Sequence, residues 1–234
     1  MPLELCNAIA SGDEAAIESL LKGAIDNGCL DEVDENGFTP LHIAAELGMT
    51  KTITAMLAAA GANAQKLLSA KSVDGVTPLH IAAQHESYET ITAMLVSGIN
   101  AQELLFAQVE GGFTPLHIAA QFGNVGTIAA MLAASGINAQ ELLSAQAEGG
   151  FTPLHIAAQH KRAQTIAAML AASGINAQEL LSVQKECGAT PLHSAAQCGS
   201  VQAIVAMLAA SGINAQELLS VQTKKGSTPL HIAV

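Results

Sequence analysis

The residues of this 234-residue chain that could hold a metal or attack a substrate are its eight histidines and four cysteines. Six histidines share one setting, Thr-Pro-Leu-His: His42, His80, His117, His155, His193 and His231. A zinc pair on a helix needs ligands at i and i+4. His80 and His85, like His155 and His160, are five apart, about 140° around a helix, so neither pair shares a face. One histidine in each copy of a motif gives every copy the same structural task. The cysteines Cys6, Cys29, Cys187 and Cys198 include no C-x-x-C pair, so neither a zinc knuckle nor a disulfide framework is indicated. Isolated cysteines suit a reducing, cytoplasmic compartment. Nucleophile elbows, Walker loops and G-x-G-x-x-G fingerprints are absent, and no carboxylates are spaced as an acid–base pair. The expectation is therefore no enzyme, no catalytic residue, no metal, no cofactor and no small-molecule substrate.

What positions the histidines is a repeat. Thr-Pro-Leu-His begins at Thr39, Thr77, Thr114, Thr152, Thr190 and Thr228, at spacings of 38, 37, 38, 38 and 38. Asn-Ala-Gln recurs in the same phase at Asn63, Asn100, Asn138, Asn176 and Asn214, and Ala-Met-Leu at Ala55, Ala93, Ala130, Ala168 and Ala206. Such self-similarity means stacked modules, each burying its apolar face only against its neighbours.

The unit 112–149 can be read residue by residue. Thr114 is placed to cap a helix and Pro115 to open it without losing a hydrogen bond. Ala119 and Ala120 let another helix approach closely, and Gly123 ends the run. A second helix is predicted from about Asn124 to Ser135, with Ile128, Met131 and Leu132 on one face and Gly136 as terminator. Asn138 with Glu141 resembles a capping box and predicts a short third helix that tucks in Leu142 and Leu143. The same pairing stands at Asn100/Glu103, Asn176/Glu179 and Asn214/Glu217, while Asn63 is followed by Lys66 instead. Glu86 and Lys161 occupy the site held elsewhere by Gly48, Gly123 and Gly199. If that site needs positive φ, each replacement costs about 1 kcal/mol.

Composition narrows the partners. Half the residues are hydrophobic but only 3% aromatic, so the core must be Ala, Leu, Ile, Val and Met. The net charge is −11, and the nine basic residues are scattered, which excludes a nucleic-acid surface. Residues 1–50 carry ten acids against Lys22 alone, the mark of a solvated cap or of an end that attracts a basic partner. With about 20 consecutive apolar residues nowhere present, no membrane insertion is expected. Glu4 and the lack of a basic leader argue against a signal peptide.

Gly-Phe-Thr-Pro-Leu-His-Ile-Ala-Ala at Gly37–Ala45 resembles the signature of the ankyrin repeat family, and the resemblance runs along nearly the whole chain. It implies an all-α solenoid with β-turn fingers, here with an extra short helical turn, because the units run 38 residues rather than about 33. The expected division is a divergent capping unit over 1–36, full units over 37–74, 75–111, 112–149, 150–187 and 188–225, and an incomplete unit over 226–234. The resemblance gives the motif histidines the job of hydrogen bonding between neighbouring turns. It also implies that turn tips and first-helix ends line a concave groove. Positions that vary there are Phe38, Leu47, His85, Tyr88, Phe113, Phe122, Phe151, His160 and Arg162, which would face a partner protein; alternatively each Phe packs on the adjacent turn. The expected function is a protein–protein interaction scaffold. Alternatives are a targeting or regulatory segment of a larger enzyme, channel or bacterial effector continuing past Val234, or a purely structural array. Ala203, Ile204, Met207 and Leu208 are expected to be poorly covered, because only a stub follows them.

Overall fold

Proline at the first helical position decides where each unit's first helix starts, and the threonine before it closes the end. In the computed structural model, which describes residues 4–27, 29–95, 99–134 and 136–233, this happens at all six motifs. Leu3, Ser135 and Val234, at the ends of predicted elements, lie outside the described residues.

The first unit is α1 (Glu4–Ser11) and α2 (Glu14–Asn27). Then come α3 (Pro40–Glu46), α4 (Thr50–Ala60) and α5 (Ala64–Leu68); α6 (Pro78–Gln84), α7 (Tyr88–Met94) and α8 (Ala101–Leu105). The later units are α9 (Pro115–Phe122), α10 (Val125–Leu132) and α11 (Ala139–Ser144); α12 (Pro153–Gln159), α13 (Ala163–Leu170) and α14 (Ala177–Ser182). The series closes with α15 (Pro191–Gln197), α16 (Val201–Leu208) and α17 (Ala215–Ser220), then α18 (Pro229–Ile232). First helices pack on first helices from α1 to α18, and second helices on second helices from α2 to α16. Among the described residues there is no strand, only an isolated bridge between Ala147 and Phe151. None of the described helices is long and apolar enough to cross a membrane.

Across units two to five the two long helices repeat one core leucine, one isoleucine and one methionine. Leu116, Ile128 and Met131 are fully buried, as are their counterparts Leu154, Ile166 and Met169. Each such side chain contributes roughly 1.5–3 kcal/mol on leaving water. The third helices seal one edge, with Leu104–Leu105, Leu142–Leu143 and Leu180–Leu181 buried beneath them. Coverage continues further toward the C-terminal end than expected. Ala203 and Met207 are completely buried, because α15 and α13 already enclose them; Ile204 and Leu208 are half-exposed.

The third-helix caps are half-boxes. Asn100, Asn176 and Asn214 accept from the backbone N–H of Glu103, Glu179 and Glu217 at 3.2 Å. Their own backbone N–H groups do not turn to that glutamate. They donate instead to a glutamine of the preceding unit: Asn100 to Gln65 (2.9 Å), Asn176 to Gln140 and Asn214 to Gln178 (2.8 Å each). The extra helix thus also ties unit to unit. Asn63 makes no side-chain cap, and Lys66 pairs with Asp31 at 2.6 Å.

The turn after the first helix settles the question of Glu86 and Lys161. Gly48, Gly123 and Gly199 all have positive φ, and Lys161 takes the same conformation at φ 60°. Glu86 does not, because α6 ends in an extended residue, His85 (φ −101°, ψ 149°), and the chain turns differently. The left-handed region costs a side-chain-bearing residue about 1 kcal/mol. Lys161→Gly should therefore stabilise the array by about 1 kcal/mol, while Glu86→Gly should give no gain. Urea midpoints of the two variants check this; equal shifts would contradict it.

Between units the chain forms a finger, closed by backbone bonds such as Lys185 N–H to Ala189 C=O and Gly188 N–H to Lys185 C=O, both 2.8 Å. Fingers stack through Val73 N–H to Asn36 C=O, Glu186 N–H to Gly149 C=O and Lys224 N–H to Cys187 C=O. A Cβ on Gly188 would stand 2.8 Å from the Lys224 nitrogen, whereas one on Gly226 would meet nothing within 4 Å. Both have φ near +80°. Gly188→Ala should cost about 2–4 kcal/mol, from backbone strain plus overpacking, and Gly226→Ala only about 1. Comparable thermal midpoints for the two variants would refute the stacking argument.

Candidate protein-binding surface

The motif histidines are structural, and their geometry fixes their protonation. In each, Nδ1 faces the threonine backbone N–H, a group that can only donate: 3.1 Å at Thr39, 3.3 Å at Thr77, Thr114 and Thr152, 3.1 Å at Thr190. Nδ1 must accept, so Nε2 carries the proton. It donates to the carbonyl that ends the next finger: His42 to Val76, His80 to Phe113, His117 to Phe151, His155 to Ala189, His193 to Ser227, at 2.9–3.2 Å. The threonine hydroxyl sits 2.8 Å from Nδ1 in all five. Histidine thus takes the part that glutamate plays in an ordinary capping box, and its far nitrogen latches the following unit. Burial pushes the pKa of His80, His117 and His155 down to about 4, and lowers those of His42 and His193. Among the described residues no three of His, Cys, Asp and Glu converge as metal ligands.

The nine candidate contact residues fall into two rows, not one. Phe38, Phe113 and Phe151 stand at the finger bases. Leu47, His85, Phe122 and His160 end their first helices, with Tyr88 and Arg162 at the start of second helices. A first helix of seven or eight residues, about 10–12 Å, separates the rows.

The finger phenylalanines are half-buried. Phe113 and Phe151 curl under their own fingers: a Cβ on Gly111 would lie 2.9 Å from the Phe113 ring, and one on Gly149 3.2 Å from the Phe151 ring. Each meets its motif histidine edge-on, and Lys185 lies 4.2 Å over Phe151. Phe38 follows Asn36-Gly37 rather than two glycines and instead stacks on His42, with 20° between the rings.

The other row is open. Leu47 is 51% exposed, Tyr88 54% and Phe122 44%; His85, His160 and Arg162 are also exposed. Arg162 reaches back to the preceding unit, donating from Nε to the Gln121 carbonyl at 3.0 Å, with its stem over Gly123. Tyr88 reaches forward onto Gly126. Asn124 donates to the Ala83 carbonyl at 3.0 Å, completing the end of α6. This end of the stack is a continuous surface across units three to five.

A feature missed in the sequence lies on the fingers. Gln108, Glu110, Gln146, Glu148 and Glu186 line an open cleft of about 820 Å³. The glutamates Glu110, Glu148 and Glu186 recur at 38-residue intervals, a signal the sequence carries in a repeated position and not in a varying one.

The chain matches a family model described as ankyrin repeats (3 copies) over residues 5–103, 100–180 and 169–234. It belongs to the ankyrin repeat family. Among solved structures, the ankyrin repeat domain of Bcl-3, a member of the IkappaB protein family, is similar at 24% identity and a TM-score of 0.79, over 99% of this chain and 93% of that one. The human ASB11 ankyrin repeat domain is similar at 25% identity and a TM-score of 0.73, over 98% and 91%. No curated protein gives a significant sequence match. Ankyrin repeats bind protein partners, and the solenoid fold is that of an interaction module.

Proposed function

We propose that this ankyrin array is a cytoplasmic scaffold, without chemistry of its own, that holds a partner protein in its groove. Leu47, His85, Tyr88, Phe122, His160 and Arg162 form the contact row, and Phe38, Phe113 and Phe151 the finger wall. One observation carries this reading: large apolar side chains are left half-open at Leu47, Tyr88 and Phe122 in three successive units, at one end of a frame whose leucine, isoleucine and methionine core in those same units is fully buried. Aromatic anchors surrounded by polar groups are the usual energetic centre of an interface.

Pull-down with three proteins tests it: the natural chain, Leu47→Ala/Tyr88→Ala/Phe122→Ala, and Phe38→Ala/Phe113→Ala/Phe151→Ala. The first triple variant should keep its helical signal and lose its partner at least tenfold. The second should lose stability, because its rings pack on the fingers. Undiminished capture by both would eliminate the groove.

A further inference from the structure

Building on the scaffold reading, we propose that the contact row is shaped for an amphipathic helix of segregated charge, basic along one half and acidic along the other. The row is not electrically uniform. At the same end of units one to three stand the exposed carboxylates Asp13, Glu14, Glu46, Glu86 and Glu89, with Lys51 beside them. Unit four offers only Phe122 and neutral neighbours, and unit five turns basic with Lys161 and Arg162. The exposed large apolar side chains at this end are Leu47 in unit two, Tyr88 in unit three and Phe122 in unit four, in and next to the acidic part, and Val201 in unit six, past the basic part.

Spacing sets the strand aside, and the width of the row then selects the helix. Packed helices lie roughly 8–10 Å apart, so successive units present their end residues at that interval. A helix repeats a face every seven residues, about 10.5 Å. A strand repeats its face at about 6.6 Å and again at about 13 Å, and matches neither way. A polyproline helix repeats at about 9.3 Å and could follow one line of residues. The row is wider than a line: Leu47 and Phe122 end first helices, while Tyr88 opens a second helix in the adjoining layer. Two layers make a patch about as broad as a helix with its side chains, about 10–12 Å. Over it, the basic half of the partner lies against units one to three and the acidic half against Lys161 and Arg162. The acidic contacts overlap the apolar patch and the basic ones lie past its end, so orientation is set by charge and affinity by Leu47, Tyr88 and Phe122.

Three labelled synthetic peptides test the proposal by fluorescence anisotropy on the full chain. The first is a helix with leucine at heptad positions, lysines in one half and glutamates in the other. The second has the same composition with the charges alternated. The third is a proline-rich peptide with leucine at every third residue and the charge halves of the first. The first should bind at least tenfold tighter than either of the others. Glu46→Lys/Glu86→Lys/Glu89→Lys, all at exposed positions, should abolish that margin while leaving the urea midpoint in place. Leu47→Ala/Tyr88→Ala/Phe122→Ala should lose the first peptide. Equal binding of the first two peptides, preference for the proline-rich one, or binding of none overturns the helix proposal and leaves the scaffold reading standing. Undiminished partner capture by both triple alanine variants overturns the scaffold reading itself.

Discussion

Lowering the pH from 7 to 5 should reduce the unfolding free energy of the array by roughly 5 kcal/mol. The cause is the row of latched histidines. His80, His117 and His155 have pKa values depressed to about 4 in the folded chain, against 6.5 when exposed. Between those values the unfolded chain binds more protons than the folded one. The stabilisation is complete above about pH 6.5 and is lost as the pH falls toward 4. At pH 5 each of the three has given up about 2 kcal/mol, and His42 and His193 shift in the same direction. The physical event is specific: a proton on Nδ1 would face the threonine N–H that now donates to it. Glu18 and Asp31, lowered by hydrogen bonds to Lys22 and Lys66, act by the same rule, but their window begins only below about pH 4.5. Urea titrations followed by far-ultraviolet circular dichroism at pH 7, 6 and 5 measure the loss. A midpoint indifferent to pH over that range would refute the lowered pKa values of the buried rings.

Removing one latch in mid-array should be nearly as damaging. His155→Ala leaves the Thr152 N–H and the Ala189 carbonyl without their partner and opens a cavity where the ring was fully buried. An orphaned buried group costs about 1–3 kcal/mol and the void adds to it, so about 3–5 kcal/mol is expected. His231 makes the same contact with Thr228, at 2.7 Å, but is exposed. His231→Ala should cost only the cap, about 1 kcal/mol. The mid-array variant should also lose about a third of the acid sensitivity, which a packing defect alone would not change. Equal costs at the two positions would show that the latch between units contributes nothing.

Much of this architecture is written in short motifs whose physics is local. Pro115 can open a helix but not continue one, so the first helices begin where the sequence says. Asn176-Ala-Gln-Glu179 carries its own cap, so the third helix is legible too. The motif histidine was readable as structural because one copy per unit leaves no ligand set. What stayed hidden depends on a neighbour 33–42 positions away or on one residue at a fingertip. Gln65 and Asn100 look like members of two separate caps until the stack brings them together. Arg162 reads as a free cation, yet part of its guanidinium holds the preceding unit. Phe113 and Phe38 read alike, but Gly111 leaves room for a ring beneath the finger and Asn36 does not. The candidate surface was therefore legible as a set of positions but not as two rows, since their separation is the length of a helix that the varying residues do not themselves encode.

The side-chain and finger ties between units share one property with a mechanical outcome. Among the described residues none spans more than 42 positions, so nothing fastens the first unit to the last. Tension across the chain is carried by the junctions in series, and compliance adds with every unit. The array should behave as a soft spring, yielding by small tilts at many joints, and a bound partner that bridges several joints would stiffen it.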